Sequence, residues 1–138
     1  MSEMNTMNQT IIDEFRANDG IVGGYFAGFP VVLLSTKGAK SGETRINPLV
    51  SLPGDDGLIY IFASAAGAPK HPDWYYNLLA HPEVGVELGT EQFTATATPV
   101  TGPERDAIYA RQAQTFASFA DYEKMTTRTI PVIALTRV

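Results

Sequence analysis

The apolar residues near the start of the chain recur with helical spacing. Met7, Ile11 and Phe15 are four residues apart, which places them on one face of an α-helix. Gly20 follows as a common helix stop. The pattern therefore predicts an amphipathic N-terminal helix over residues 6–19.

After a glycine-rich connector that carries Tyr25 and Phe26, the pattern changes to short runs of β-branched and aromatic residues between turns. Such runs are typical of strands. We expect strands over residues 31–35, 44–52, 58–63, 84–88, 92–100 and 130–135. The segment Pro53-Gly-Asp-Asp-Gly57 predicts a tight hairpin turn between the second and third strands.

Helical spacing returns in three later segments. The sequence predicts helices over residues 72–81, 103–117 and 119–125. Thr101, with Glu104 three residues later, has the pattern of a capping box at the start of the second of these helices.

The order of these elements favours a mainly β fold with added helices. Most neighbouring strands are separated only by turns, so they should pair as antiparallel hairpins, and the strand–helix alternation of a doubly wound sheet is missing. We expect a six-stranded antiparallel split β-barrel. Because a chain of 138 residues has the length of one domain, residues 1–138 are predicted to form a single domain.

The composition limits the cellular compartment and the kinds of catalytic and metal-binding residue that the chain can offer. The chain has no cysteine, which excludes disulfides, thiolate metal ligands and a cysteine nucleophile. It has no basic N-terminal segment followed by an apolar run, and no apolar stretch of the ~20 residues that a membrane span requires. We therefore predict a cytoplasmic protein without a membrane span.

The charge distribution indicates one anion site. The net charge of −5 argues against nucleic-acid binding, which depends on a basic face. Positive charge is nevertheless concentrated in one glycine-containing segment, where Lys37, Lys40 and Arg45 fall within nine residues with Glu43 among them. Lysine, arginine and the backbone amides of such a loop suit phosphate and carboxylate oxygens. The alternative is a solvated hairpin turn whose lysines only aid solubility.

A run of small residues follows the third strand. It consists of Ala63, Ser64, Ala65, Ala66, Gly67 and Ala68. Small side chains leave the backbone accessible to a flat ligand. Lys70 adds positive charge nearby, and Trp74 either flanks the ligand or anchors the core.

The two histidines do not indicate a metal site. His71 and His81 are ten residues apart in a chain without cysteine, and they share no helical face, so we predict no metal. For His71 we expect a capping or surface role rather than catalysis.

Three aromatic residues near the C-terminus, Phe116, Phe119 and Tyr122, recur at intervals of three. This spacing places them near one helical face. They either pack in the core or form an apolar wall over a flat substrate, with the Tyr122 hydroxyl as a proton donor.

Two motifs extend the argument beyond single residues. A G-x-K-S-G-x-x-R-x-x-P pattern contains Gly38, Lys40, Ser41, Gly42, Arg45 and Pro48. A P-x-W-Y-x-N-L pattern contains Pro72, Trp74, Tyr75, Asn77 and Leu78. With these motifs in order, most of the chain after Asn8 resembles the deazaflavin (F420)-dependent nitroreductase family, which includes F420H2-dependent quinone reductases.

The resemblance implies a split β-barrel like the FMN-binding barrels, and it implies where coenzyme F420 lies. The residues implied for its phosphate and acidic tail are Lys40, Ser41, Gly42 and Arg45. The deazaflavin ring would lie against residues 63–68. The cofactor-binding set is completed by Asn47, Pro48, Lys70, Trp74 and Asn77.

The activity implied by the resemblance is hydride transfer from reduced F420 to a small-molecule acceptor, namely a quinone, an enone or a nitroaromatic compound. Phe116, Phe119 and Tyr122 would line the acceptor pocket, and Tyr122 and Ser64 are the expected catalytic residues. An FMN-dependent oxidoreductase on the same barrel and a non-catalytic cofactor-binding module are the alternatives. The sequence is compatible with a homodimer and with a peripheral contact with a membrane surface.

Overall fold

A computed structural model of the protein describes residues 3–23, 28–54 and 57–138, with side chains from residue 8 onward except that of Ala66. Tyr25 and Phe26 of the predicted connector lie outside the described residues, as does the centre of the turn predicted at residues 53–57.

Six antiparallel strands close into a barrel. The strands are β1 (Val31–Lys37), β2 (Thr44–Pro53), β3 (Ile59–Phe62), β4 (Glu83–Leu88), β5 (Glu91–Val100) and β6 (Val132–Arg137). Around the barrel their order is β1-β2-β3-β6-β5-β4, and every neighbouring pair is antiparallel. The predicted mainly β fold with a six-stranded antiparallel barrel is confirmed.

The helices are inserted between and before these strands. They are α1 (Glu3–Ala17), α2 (Asp73–Ala80), α3 (Gly102–Thr115) and α4 (Ala117–Met125), with a short 3-10 turn at Ala65–Gly67. Helix α1 ends two residues earlier than predicted, because Asp19 (φ 55°) and Gly20 (φ 93°) adopt left-handed backbone conformations that a helix cannot continue through.

The barrel interior is packed by inward-facing strand residues and by one helix. Val32 and Leu34 of β1 meet Leu135 of β6 in the interior cluster. Trp74 and Leu78 of α2 pack into the same cluster, so α2 covers one end of the barrel. Period-two alternation along the strands puts these residues on a common face.

The outer faces of the barrel are covered by the other helices. Ile12 and Phe15 of α1 pack against Val31 and Leu33 of β1, so these two side chains hold α1 on the barrel. Helices α3 and α4 cover β3 and β6 through a second aromatic cluster. Within the described residues, none of the helices has the length and apolarity needed to cross a membrane.

Two local predictions were wrong. Thr101 lies at the N-cap of α3, but its side chain makes no capping hydrogen bond, so the predicted capping box does not form. Phe116 does not share a helical face with Phe119 and Tyr122, because it lies between α3 and α4 with extended backbone (φ −129°, ψ 103°). Its N–H makes the last i→i−4 hydrogen bond of α3, to the Gln112 carbonyl at 2.8 Å, and its extended backbone then ends the helix.

Candidate active site

A cleft of about 160 Å³ lies where α2 and α4 meet the barrel. It is lined by Phe29, Pro48, Leu49, Val50, Phe62, Ser64, Ala65, Trp74, Phe119 and Tyr122. None of these ten side chains carries a formal charge. The cleft therefore suits a flat ligand with apolar faces.

Aromatic side chains form one wall of the cleft and continue into the protein. Phe119 is buried and meets Phe62 edge-on, with ring centroids 5.5 Å apart. Tyr122 is half-buried, and its ring lies 5.2 Å from that of Phe119. Trp74 is only 6% exposed and belongs both to the barrel interior and to the cleft wall. Trp74, Phe119 and Tyr122 therefore both pack against the core and line the cleft.

Phe116 lies outside the set of residues that line this cleft. Its ring centroid is 4.5 Å from that of Phe29, which does line the cleft. Phe116 therefore packs against a residue of the cleft wall. Its predicted contact with the acceptor stays a prediction.

The small residues after β3 do not all serve the same purpose. Ser64 and Ala65 line the cleft, whereas Ala63 is fully buried in the barrel interior. A Cβ atom on Gly67 would lie 3.0 Å from the Met125 Cβ and 3.3 Å from the Tyr122 Cα. Glycine is therefore needed at this position so that α4 can pack closely against the segment.

Ala65 has a left-handed backbone conformation (φ 46°). This conformation costs a residue with a Cβ atom of order 1 kcal/mol, so other contacts must hold the segment in this shape. Ala66 is the central residue of the 3-10 turn, and Ala68, which ends that turn, is half-buried. Lys70 is exposed beyond it.

Arg128 was not singled out by the sequence, and neither were the cleft residues Phe29, Leu49, Val50 and Phe62. Arg128 lies between α4 and β6, and its guanidinium donates to the carbonyl oxygens of Ala63 (3.1 Å), Ser64 (2.8 Å) and Ala68 (2.9 Å). The small-residue segment is thus held from the side by a residue about sixty positions further along the chain. The only hint in the sequence was a single arginine just before the last strand.

His71 also contacts Arg128. The guanidinium donates to Nδ1 of His71 at 2.9 Å; since arginine can only donate, this nitrogen must be the acceptor, which requires a neutral ring. Burial, and secondarily the charge of Arg128, lowers the pKa of His71 below its ordinary value of 6.5. His71 thus contacts the residue that holds the small-residue segment, in addition to the capping or surface role expected from the sequence.

We expect the protein to lose stability as the pH falls below about 6.5, because unfolded His71 takes up a proton there while folded His71 resists it. Stability is therefore greatest above that pH and declines toward the lowered folded-state pKa. Thermal midpoints of wild type and His71→Gln between about pH 5 and about pH 7.5 test this. The variant should show a flatter profile; equal slopes for wild type and His71→Gln would contradict the assignment.

The cationic segment forms the exposed loop between β1 and β2. Lys40, Ser41 and Gly42 are exposed, and Gly42 adopts a left-handed conformation (φ 72°). The Ser41 hydroxyl accepts a hydrogen bond from the Glu43 N–H at 3.2 Å. Arg45 forms an ion pair with Glu43 at 3.1 Å, so an anion would have to exchange with this carboxylate.

Asn77 fixes this loop to α2. Its Oδ1 accepts from the Ala39 N–H at 3.0 Å, and its Nδ2 donates to Thr36 Oγ1 at 3.1 Å. Asn77 is buried, and both ends of its amide are engaged with the protein. These contacts order the loop, and a contact between Asn77 and the cofactor stays a prediction.

Strand β2 connects the loop to the cleft. Pro48 lines the cleft, Asn47 is half-buried beside it, and Arg45 lies three residues before Pro48, or about 10 Å along a strand. A ligand with a flat ring in the cleft and an anionic chain along this strand could reach the cationic loop.

A second cavity of about 310 Å³ lies between the end of α1 and the β4–β5 turn. Although it is larger than the cleft, its lining includes Asp19, Glu87 and Glu91. Arg16 in the same lining is already paired with Glu87 at 2.8 Å. Carboxylates repel an anionic cofactor, so the smaller, uncharged cleft is the better candidate.

The side chains of the cleft and loop fit the chemistry of F420 as the resemblance describes it. A flat deazaflavin ring matches an uncharged aromatic wall facing Ser64 and Ala65. A phosphate with an acidic tail matches exposed Lys40 and Arg45 on a loop whose glycine opens the backbone. This combination is typical of small barrels that bind a flat, anionic redox cofactor.

Comparison with known proteins gives the family. The family model of the F420H(2)-dependent quinone reductases matches residues 7–137, so the chain belongs to that family. An F420H(2)-dependent quinone reductase of Mycobacterium tuberculosis (strain ATCC 25618 / H37Rv) is 36% identical over 129 residues, which cover 89% of this chain and 85% of the relative.

Solved structures support the same assignment. An F420-H2 dependent reductase, FDR-A, superposes with a TM-score of 0.69 at 37% identity, covering 77% of this chain and 93% of that chain. A structure described as a domain-swapped dimer gives a TM-score of 0.70 at 32% identity, covering 97% of this chain and 99% of that chain. The protein is thus an F420-dependent reductase, and F420 is favoured over FMN as its cofactor.

Proposed function

We propose that this protein reduces quinones with a hydride from reduced F420 bound between the cleft and the cationic loop. The observation that carries the proposal is the arrangement along β2, where the cation of Arg45 lies three residues before Pro48, which lines the uncharged aromatic cleft. The name of the family, with its quinone substrate, supports the choice of acceptor.

The chain would hold the two ends of the cofactor differently. The flat ring would pack against Ser64 and Ala65, where small side chains leave room. The anionic tail would exchange with the Glu43 carboxylate for Arg45 and would also contact Lys40 and the Ser41 hydroxyl. The Gly42 N–H donates to the Gly38 carbonyl at 2.9 Å, so Gly42 would contribute the left-handed turn that shapes the loop. When bound and reduced, F420 supplies a hydride to the acceptor.

The aromatic wall would place the acceptor and exclude water from it. Phe29 and Phe119 offer apolar faces in the cleft, and a quinone is flat and largely apolar. A quinone that has taken up a hydride needs one proton to become a hydroquinone, and the Tyr122 hydroxyl is the proposed donor. The Ser64 hydroxyl is a second group that can hydrogen-bond to an acceptor oxygen.

Stopped-flow oxidation of the reduced cofactor on the protein tests the proposal. A short-chain quinone should oxidise protein-bound reduced F420 with saturation kinetics, while an enone and a nitroaromatic compound in parallel define the range of acceptors. A protein that binds F420 tightly but accelerates oxidation by no acceptor would be a binding module, and the proposal would be wrong.

We expect Tyr122→Phe to lower turnover of a quinone by up to about a hundredfold, at or below the low end of the ~10²–10⁴-fold that general acids supply, with F420 affinity unchanged. Tyr109→Phe is the matched control, since the Tyr109 hydroxyl donates to the Phe119 carbonyl at 2.7 Å inside the protein and Tyr109 does not line the cleft. The control should lower stability but not turnover per folded molecule. Full turnover in Tyr122→Phe would remove the proton-donor role.

We also propose that the protein forms a homodimer and that it is cytoplasmic. A homodimer is supported by the similar structure described as a domain-swapped dimer. Light scattering during size-exclusion chromatography would detect it. The cytoplasmic location remains a prediction from the absence of cysteine.

A further inference from the structure

The carbonyl groups of the small-residue segment converge on one side chain. Arg128 donates from Nη1, Nη2 and Nε to the carbonyls of Ala63, Ser64 and Ala68, respectively. Its Nη1 also donates to the ring of His71. Three backbone carbonyls from one short segment thus share a single guanidinium. Charge-assisted hydrogen bonds of this kind are stronger than neutral ones.

This arrangement determines which way the backbone N–H groups face. The peptide bonds after Ala63 and Ser64 are trans, like the others described, and in a trans peptide the N–H is opposite the carbonyl. Since the carbonyls of these two peptides face Arg128, the N–H groups of Ser64 and Ala65 face the other way. Both residues line the cleft.

We propose that Arg128 is a positioning residue, which holds residues 63–68 in the shape that presents Ser64 and Ala65 to the cofactor ring. The inference rests on the proposed function, because it assigns the ring to this segment. Arg128 acts through the backbone and does not line the cleft.

The planar fork of arginine is essential to this role. One guanidinium has five N–H donors in a fixed plane, whereas a lysine ammonium is a compact charge on a flexible stem. A lysine at this position keeps the charge but cannot span carbonyls at both ends of the segment. The left-handed Ala65 should then relax toward a more favourable conformation.

Arg128→Lys is the test, and Arg105→Lys is its matched control. Arg105 is buried, whereas Arg128 is half-buried, but like Arg128 it donates to a backbone carbonyl, that of Ile130 at 2.8 Å. In the described structure it contacts no residue of 63–68. We expect Arg128→Lys to weaken F420 binding about tenfold while the KM for quinone at saturating F420 changes less than about twofold. Arg105→Lys should lower the thermal midpoint and leave the F420 Kd unchanged.

Hydrogen exchange of the cofactor-free protein gives a second measurement that needs no activity. The N–H groups of Gly67 and Ala68 donate to the carbonyls of Ser64 and Ala65, so their exchange reports the shape of the turn. Arg128→Lys should speed their exchange at least about tenfold relative to strand amides, and Arg105→Lys should not.

The outcomes separate the two proposals. A wild-type protein that does not bind F420 would end the proposed function, and the exchange result alone would then decide the role of Arg128. Unchanged exchange at Gly67 and Ala68, or an unchanged F420 Kd in an otherwise binding protein, would overturn the positioning role. Equal acceleration in both lysine variants would also overturn it, because that would be general destabilisation.

Discussion

Replacing Ser64 by leucine is expected to weaken F420 binding at least about tenfold without unfolding the barrel. Ser64 lines the cleft and has a backbone (φ −77°, ψ −34°) that leucine adopts freely. The larger side chain would compete with the ring for space, and overpacking of this kind costs about 1–3 kcal/mol, or roughly ten- to a hundredfold in affinity. Fluorescence titration with F420 and a thermal melt measure the two effects separately.

Ser64→Ala is the control for this variant. It removes the hydroxyl without adding volume, so F420 should bind as to wild type. A fall in quinone turnover in Ser64→Ala would assign the hydroxyl a catalytic role, and full turnover would remove it. If Ser64→Leu binds F420 normally, the ring does not lie against this segment; if it melts much earlier than wild type, Ser64 belongs to the core.

Arg45→Ala is expected to weaken F420 binding about tenfold at low salt. Charge-assisted hydrogen bonds contribute about 1.5–3 kcal/mol, but the Arg45 side chain is 58% exposed and solvent screening reduces its contribution. The effect should shrink as salt is added, because the contact is between a cation and the anionic tail. The measurement is the F420 Kd at two ionic strengths.

Glu43→Gln should have the opposite effect. The Glu43 carboxylate pairs with Arg45 at 3.1 Å, so its neutralisation frees the guanidinium and should tighten F420 binding. Arg137→Ala, which breaks an exposed ion pair with Glu91 at 3.0 Å, should leave the affinity unchanged. Affinity unaffected by both Arg45→Ala and Glu43→Gln would remove the loop from the cofactor site.

Much of the barrel could be predicted because its signals are local. β-branched runs such as Val31–Ser35, with turns between them, define hairpins without any knowledge of the tertiary structure. Most strand ends lie one or two residues from their predicted positions, because backbone pairing extends as far as a partner strand is available. Strand β1 continues to Lys37 because Lys37 lies opposite Thr44.

The contacts that shape the site could not be predicted because they join distant parts of the chain. Arg128 reaches Ala63 across 65 positions, and Asn77 reaches Ala39 across 38. The sequence indicated a cationic loop and a small-residue segment, but nothing in it indicated which residues hold them in place.

Phe116 shows how a regular pattern can mislead. Its spacing from Phe119 and Tyr122 is helical, but the helix ends at Thr115 and begins again at Ala117. Packing against Phe29 holds Phe116 in the extended break between the two helices. Tertiary contact here outweighed a local preference.

The most direct test of the central claim is a titration of isotope-labelled protein with F420, followed by the backbone amide signals. We expect the largest shifts in residues 40–45 and 64–68, on the cationic loop and the small-residue segment. Shifts concentrated around Phe15, Glu87 and Gln92, at the second cavity, with none at these two segments, would contradict it.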